Sequence, residues 1–398
     1  MSGYRILYHH RIRADDGQAV HVRELIEALR EEGHEVLECA LVQKTRQAPK
    51  AGAAQSRGRG GLWRRLSLPR FAVEMLEIAY GRQGARMLRR AAAEFRPDFI
   101  YERHALHCDA GLRAARALGV PLLLEVNSPF CDEMATLGLL RFPRIARRTE
   151  RRVLGGADLV FAVTGVLRDI LVGHGARADR TLVVQNGAVP ERYGDAAHAE
   201  GRALRARLNI GDEAFVLGFV GYMRPWHRLD LAVELLLQPE FARLHLLLVG
   251  DGPARAEVEA QAAMLGVAGR VHLCGAVPSD RVPAHVCAFD AALVPAINRY
   301  ASPLKLFDSL AAGVATLAPR QPNLQEIVHD GVNGVLFTPS DAGSLRAAVG
   351  SLCSDPHRAR AIGERGRADL LEGEWTWRGN ARRVIRAYEG LRRGDSGR

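Results

Sequence analysis

The residues YASPLKLFDSLAAG, Tyr300 to Gly313, carry one of only three lysines in a 398-residue chain whose other positive charges are arginines. Lys305 and Asp308 are three apart, so on a helix they are neighbours. Ser302 reads as the N-cap of that helix, Pro303 as its first residue and Gly313 as its stop, with Leu304, Phe307 and Ala311 facing inward. A cation near the positive end of a helix is misplaced unless an anion is close. Two chemistries fit: a phosphate held by Lys305, or a surface pair between Lys305 and Asp308. Three further stretches have the same strand–turn–helix character. FVGYMRPWHRLDLAVELL puts Arg224, Trp226, His227 and Arg228 between Gly221 and a helix, a cationic turn suited either to a diphosphate or to solvent. LLLVGDGPARAEV places Gly250, Asp251, Gly252 and Pro253 at a tight turn. ILYHHRIRADDGQAVHVRELIEAL runs through Gly17 into a helix, where the glycine either admits a ligand close to the backbone or eases the turn.

Such turns need strands to hold them. Short apolar runs alternate with amphipathic helical stretches from end to end, the pattern of parallel sheets covered by helices. One series of strands is read near 5–10, 34–40, 98–101, 121–126, 158–163 and 181–186. A second is read near 215–221, 244–250, 270–275, 290–296, 314–319 and 334–339. The join falls within 189–208, where charged and turn-forming residues replace apolar ones. In open parallel sheets ligands bind beyond the carboxyl ends of the strands, where all four turns belong. The stretch 44–71 breaks the rhythm with eight basic residues and no acidic one, and reads as a long loop. WRGNARRVIRAYEGLRR (377–393) reads as a helix with Val384, Ile385, Tyr388 and Leu391 on its apolar stripe.

Composition narrows the class. A hydrophobic fraction of 47% with 25% charged residues is that of a soluble globular protein. The charge of +10 is met either by a solvated basic surface or by anionic partners. Six scattered cysteines show no metal-ligand spacing and read as reduced, mostly buried residues of a cytoplasmic protein. No apolar run approaches the roughly 20 residues of a membrane span, and the N-terminus shows no secretion signal.

Together these stretches resemble the family-four retaining glycosyltransferases of the GT-B fold, glycosyltransferase group 1. GQAVHVRELIEALREEGHEV, EVNSP, VVQNGAVPERY, FVGYMRPWHR, LLVGDGP, HLCGAVPSDRVPAHVCAFDAALVP, SPLKLFDSLAAG and VHDGVNGVLFTPSD follow in that family's order and spacing. The resemblance implies an α/β protein of two Rossmann-like, doubly wound domains facing across a cleft. Residues 1–195 would bind the acceptor and 196–374 the nucleotide-diphosphate sugar, with the helix of 375–398 crossing back to the first domain. It further implies a metal-independent transfer of sugar to an acceptor hydroxyl with retained configuration, without any cofactor beyond the donor. Asp308 matches the second acid of the family's pair, which binds the ribose; Tyr300 replaces the first. Tyr222 and His227 stand where the family has a phosphate-binding Arg and Lys, and Arg224 with Lys305 is the replacement for binding the diphosphate.

The donor site implied in this way comprises Gly17, Gly221, His227, Gly250, Gly252, Gly275, Val277, Tyr300, Ser302, Pro303, Leu304 and Asp308, with Gly275 and Val277 near the base. Asn127 stands where relatives often have a His near the reacting sugar, and joins Arg224 and Lys305 as a catalytic candidate. Arg103, His104 and Glu125 are acceptor contacts. No DxD sequence is present to bridge a metal to the diphosphate. The acceptor is a glycan, a lipid-linked or a small molecule. Leu62, Trp63, Leu66 and Leu68 among Arg64, Arg65 and Arg70 would suit peripheral contact with an anionic membrane through 44–71, or a lid; nucleic acid is not a partner. Two other readings share the architecture, a nucleotide-sugar epimerase and a sugar-nucleotide-binding protein that has lost catalysis.

Overall fold

A computed structural model describes residues 3–12, 17–40 and 69–395. The basic stretch read over 44–71 lies outside the described residues up to position 68. Its last two residues, Arg70 and Phe71, open a helix, Arg70–Phe95. All twelve strands stand where the apolar runs place them. β1 is Arg5–His10, β2 Glu35–Ala40, β3 Phe99–Arg103, β4 Leu122–Val126, β5 Leu159–Ala162 and β6 Thr181–Val183. β7 is Phe215–Val220, β8 Leu244–Val249, β9 Val271–Gly275, β10 Ala291–Leu293, β11 Ala315–Pro319 and β12 Val335–Phe337.

They form two six-stranded sheets, ordered β2-β1-β3-β4-β5-β6 and β12-β11-β10-β7-β8-β9. Every described pairing is parallel. Backbone contacts divide the chain into two compact units. The first holds Met1–Ala162, Leu167–Val183 and Ala381–Arg398, and the second holds Val163–Val166 and Val184–Asn380.

The second sheet shows why its strands are apolar throughout. Phe215, Leu217, Phe219, Leu246 and Leu248 enter one buried cluster, whereas Val216, Leu247 and Val249 enter another. Side chains alternate faces along a strand, so a sheet covered on both sides needs apolar residues at odd and even positions alike. β6 ends at Val183 rather than at Asn186, because Gln185 and Asn186 turn to hydrogen bonds within the second unit. Helix Trp377–Asp395, which belongs to the first unit from Ala381 onward, buries Val384, Ile385 and Tyr388. Tyr388 stands edge-on to Tyr4 at 5.1 Å and 4.4 Å from the Phe99 ring. All six cysteines are free, and Cys39, Cys108 and Cys131 are buried.

The strand orders locate the crevices. In the second sheet the order reverses at β7, so the connections leaving β7 and β10 diverge to opposite faces and open a gap beyond their carboxyl ends. In the first sheet the corresponding gap lies beyond β1 and β3.

Candidate active site

In the second unit, the loops after β7, β8 and β9 are stacked backbone against backbone. The N–H of Gly221 donates to the Val249 carbonyl at 2.9 Å, that of Met223 to Asp251 at 2.8 Å and that of Gly250 to Gly275 at 2.7 Å. Such closeness leaves no room for side chains. A Cβ on Gly250 (φ +129°) would lie 2.0 Å from the Gly221 carbonyl oxygen, and one on Gly252 (φ +149°) 2.3 Å from that of Met223. These two glycines serve the packing of protein loop on loop. Gly221 differs, since its missing Cβ makes room for the Lys305 amine, which would lie 3.0 Å away.

Lys305 is the second residue of helix Leu304–Ala311, directly beyond the β10 connection. Its ammonium stands 4.2 Å from the centre of the Phe219 ring. Burial lowers its pKa from the ordinary 10.5 to about 7, opposed only in part by Asp308. Asp308 accepts the Tyr193 hydroxyl at 2.6 Å, and Lys305 and Asp308 line one pocket with Val220, Val294 and Ser309. The surface ion pair is therefore not what this lysine forms. It is a desolvated amine held over a ring, at the positive end of a helix, beside a glycine.

Arg224 is exposed, with its guanidinium 4.8 Å from the Tyr222 ring centre and 5.0 Å from that of Trp226. His227 accepts the Arg224 N–H on Nδ1 at 3.3 Å. Burial, then the charges of Lys305 and Arg224, pull its pKa from 6.5 to about 3, so it is a neutral acceptor near pH 7. Arg228 turns away to Asp230 at 2.8 Å.

The N-cap assignment requires correction. The helix starts at Leu304, with Pro303 in the capping position and no side-chain cap. Ser302 instead accepts the Asn186 N–H and donates to Gln185 Oε1, each at 3.2 Å. Leu304 is only partly buried; Leu306 and Leu310 join Phe307 and Ala311 in the core. Tyr300 receives the Thr164 hydroxyl on its carbonyl and the Asn298 side-chain amide on its phenol, both at 2.9 Å. Thr164, Gln185 and Asn186 thus pin the loop before Lys305. Sequence reasoning gave them no role, although QN stands inside the quoted VVQNGAVPERY. Gly275 (φ +71°) is the last residue of β9 at the sheet edge, and Val277, two residues on, is packed partly into the core.

In the first unit, the acceptor candidates converge on a carboxylate. Glu125, buried on β4, receives Arg103 Nη1 and Asn127 Nδ2 at 2.5 Å each, and the Tyr101 hydroxyl at 3.0 Å. His21 Nε2 lies 2.9 Å from it. Burial alone would raise its pKa, but His21 and Arg103, with the hydrogen bonds of His21 and Asn127, hold it well below the usual carboxylate range. With so many donors, Glu125 orients Arg103, Asn127 and His21 rather than offering itself to a ligand. Neighbouring His104 donates its backbone N–H to the Glu125 carbonyl at 2.8 Å, and its Nδ1 is buried without a partner. Gly17 is exposed, at the start of the helix that carries His21.

A second hub escaped the sequence reading. His9, Glu102 and Cys108 place their ligating atoms within 4.8 Å of one another. The Glu102 carboxylate accepts His9 Nδ1 at 2.8 Å and the Gly111 N–H at 3.1 Å, while burial pushes the Cys108 thiol well up. A protonated thiol and an occupied carboxylate form a hydrogen-bonded node joining β1 and β3.

Comparisons with known proteins bear on the family and the fold. The family described as "Glycosyl transferases group 1" matches residues 214–355, and "Glycosyl transferase 4-like domain" matches 16–187. A GDP-mannose-dependent alpha-(1-6)-phosphatidylinositol monomannoside mannosyltransferase of Mycolicibacterium smegmatis is 28% identical over 258 residues, 62% of this chain and 66% of that protein. A D-inositol 3-phosphate glycosyltransferase of Acidothermus cellulolyticus is 28% identical over 285 residues, 67% of this chain and 61% of that protein. The chain thus spans slightly under two thirds of these curated relatives. In fold it is similar to Anabaena HepE in complex with UDP-glucose (TM-score 0.70, 18% identity, 97% of this chain and 100% of that one). It is similar also to sucrose-phosphate synthase of Thermosynechococcus elongatus (TM-score 0.71, 20% identity, 98% and 99%).

Proposed function

Since this chain belongs to the group 1 glycosyltransferases of the GT-B fold, we propose that it moves a sugar from a nucleotide-diphosphate sugar to an acceptor hydroxyl with retention of configuration. The observation that carries this reading is Lys305, a desolvated amine at the switch point of the second sheet with Gly221 beside it. A diphosphate bound there returns the amine to its charged state, and the compact ammonium meets the β-phosphate with the first helix N–H groups. Arg224, its guanidinium against the Tyr222 and Trp226 rings, covers the same anion from the loop after β7. His227 stays neutral between the two cations, which keeps positive charge from accumulating to the point of self-repulsion. Asp308 takes the ribose hydroxyls.

In the reaction, the bond from the anomeric carbon to the phosphate oxygen breaks and the electron pair leaves with the diphosphate. Charge grows on that oxygen, where Lys305 and Arg224 stabilise it more strongly than in the ground state. The acceptor oxygen attacks on the face the diphosphate leaves, and its proton passes to the departing phosphate oxygen. No bridging metal is required, because the two side-chain cations and the helix N–H groups supply the positive charge. In the first unit, Arg103 and Asn127, oriented by Glu125, are the contacts to the acceptor. The relatives' names, and the UDP-glucose of the HepE complex, support a nucleotide-diphosphate donor and an acceptor of inositol type. A thermal-shift and mass-spectrometric screen with UDP, GDP, ADP and TDP, free and as sugar conjugates, tests the reading beside Lys305→Ala and Asp308→Ala. Stabilisation by one nucleotide, lost in both variants, is expected. No response to any nucleotide would overturn it.

A further inference from the structure

Away from these residues, helix Arg70–Phe95 turns an unusual face to solvent. Phe71, Met75 and Leu76 are 56%, 53% and 61% exposed, and their spacing sets them on one side of the helix. Glu74, between them, points inward and is buried, where its carboxylate accepts the N–H groups of Arg141 and Phe142 at 2.8 Å each. Arg70 Nε donates to the Leu139 carbonyl at 2.9 Å. These bonds fasten a second segment alongside the start of the helix, bearing Leu137 and Leu139 (63% and 42% exposed), with Ile145 (42%) just beyond. Six of the thirteen large apolar side chains exposed among the described residues therefore gather in two adjoining segments. Monomers seldom gather exposed apolar residues in this way without a use for them.

From Phe71 to Arg90 the exposed charge on this helix is of one sign, with the exposed Glu94 beyond it. Farther along the same helix face come Arg82, Arg86, Arg89 and Arg90, all exposed, and between Phe71 and Arg90 the helix presents no exposed acid. We propose that this face of the first unit docks on the surface of an anionic lipid bilayer, with the apolar side chains at the headgroup boundary and the arginines on lipid phosphates. An apolar strip continued by cations without acids is the pattern of interfacial helices. Among the described residues no helix is long and apolar enough to cross a membrane, so the contact is peripheral. The inference does not depend on which sugar or acceptor the protein uses.

Vesicle flotation of the full chain tests it, with phosphatidylcholine alone and with phosphatidylglycerol added. Capture by the anionic vesicles only, reversed by salt, is expected. Met75→Ser with Leu76→Ser should weaken partitioning roughly tenfold. Arg86→Glu with Arg90→Glu should weaken it by more than about fivefold for each arginine lost. All four positions are exposed, so the melting curve and the nucleotide response of both variants should match the parent, which separates loss of docking from loss of fold or of donor binding. Equal capture by neutral vesicles, no capture, or capture undiminished in both variants would overturn the proposal. So would a dimer that the serine variant splits without any change in vesicle binding.

Discussion

Replacing Lys305 by methionine should stabilise the empty protein while abolishing its response to nucleotide. The amine's pKa falls from 10.5 to about 7 on folding. At roughly 1.4 kcal/mol per pH unit, this caps the cost of carrying the charged lysine near 5 kcal/mol. Effective dielectric values in proteins lie well above those of a dry interior, which reduces that to about 2 kcal/mol. The sign follows from linkage. Between about pH 7 and 10.5 the unfolded chain binds more protons at this residue than the folded one, so stability rises with pH across that window. Below pH 7 both states are protonated and the cost is present in full. Methionine keeps the length of the side chain and its contact with Phe219 without any charge. At pH 7 the Lys305→Met protein should melt a few degrees higher than the parent, from about 2–4 °C per kcal/mol for domains of this size. It should also lose the rise in stability from pH 7 to 9.5 and show no shift with UDP or GDP. Denaturant titrations at both pH values, with and without nucleotide, measure all three. A methionine variant that is less stable when empty, or that still responds to nucleotide, would refute both the desolvated amine and its role.

Other expectations follow from the same geometry. Trp226→Ala should raise the donor KM about two- to fivefold, the worth of one exposed cation–π contact, with kcat little changed; Trp226→Phe should largely restore it. Gly250→Ala forces a Cβ against the Gly221 carbonyl at φ +129° and should cost about 2–3 kcal/mol in urea unfolding, together with the nucleotide response. Glu125→Ala removes the partner of buried Arg103 and should cost about 3–5 kcal/mol. Because the Glu125 carboxyl is held well below its ordinary 4.5, its contribution is present above that pH and is lost as pH falls below it. Glu125→Gln should therefore flatten the acid limb of the stability curve. Initial transfer rates should be the same in EDTA and in magnesium, and a rate abolished by EDTA would remove the case for Arg224 and Lys305 as sufficient cations.

The amino-acid sequence by itself determined the twelve strands, the glycine turns after them and the helix that carries Lys305. Each depends on residues within a few positions of one another, and apolar runs, Gly-Asp-Gly-Pro and a proline before a helix act over that distance. It also singled out Arg224 and Lys305, because a cation beside a helix start is locally anomalous, whereas Asp308 was marked by the family resemblance. What it could not determine was what each side chain meets. Lys305 lies over Phe219, 86 positions away in the chain; Asp308 meets Tyr193 and Ser302 meets Asn186 and Gln185. Glu125 was marked as an acceptor contact, but the sequence did not show that Tyr101, Arg103, Asn127 and His21 converge on it. Nor could it show that the space beside Gly250 and Gly252 is filled by the backbone of Gly221 and Met223. Strand order brings these partners together, and that order is set by the packing of distant helices on both faces of each sheet. The pKa of Lys305, and with it the chemistry proposed for this site, is accordingly a property of the folded surroundings rather than of the residue.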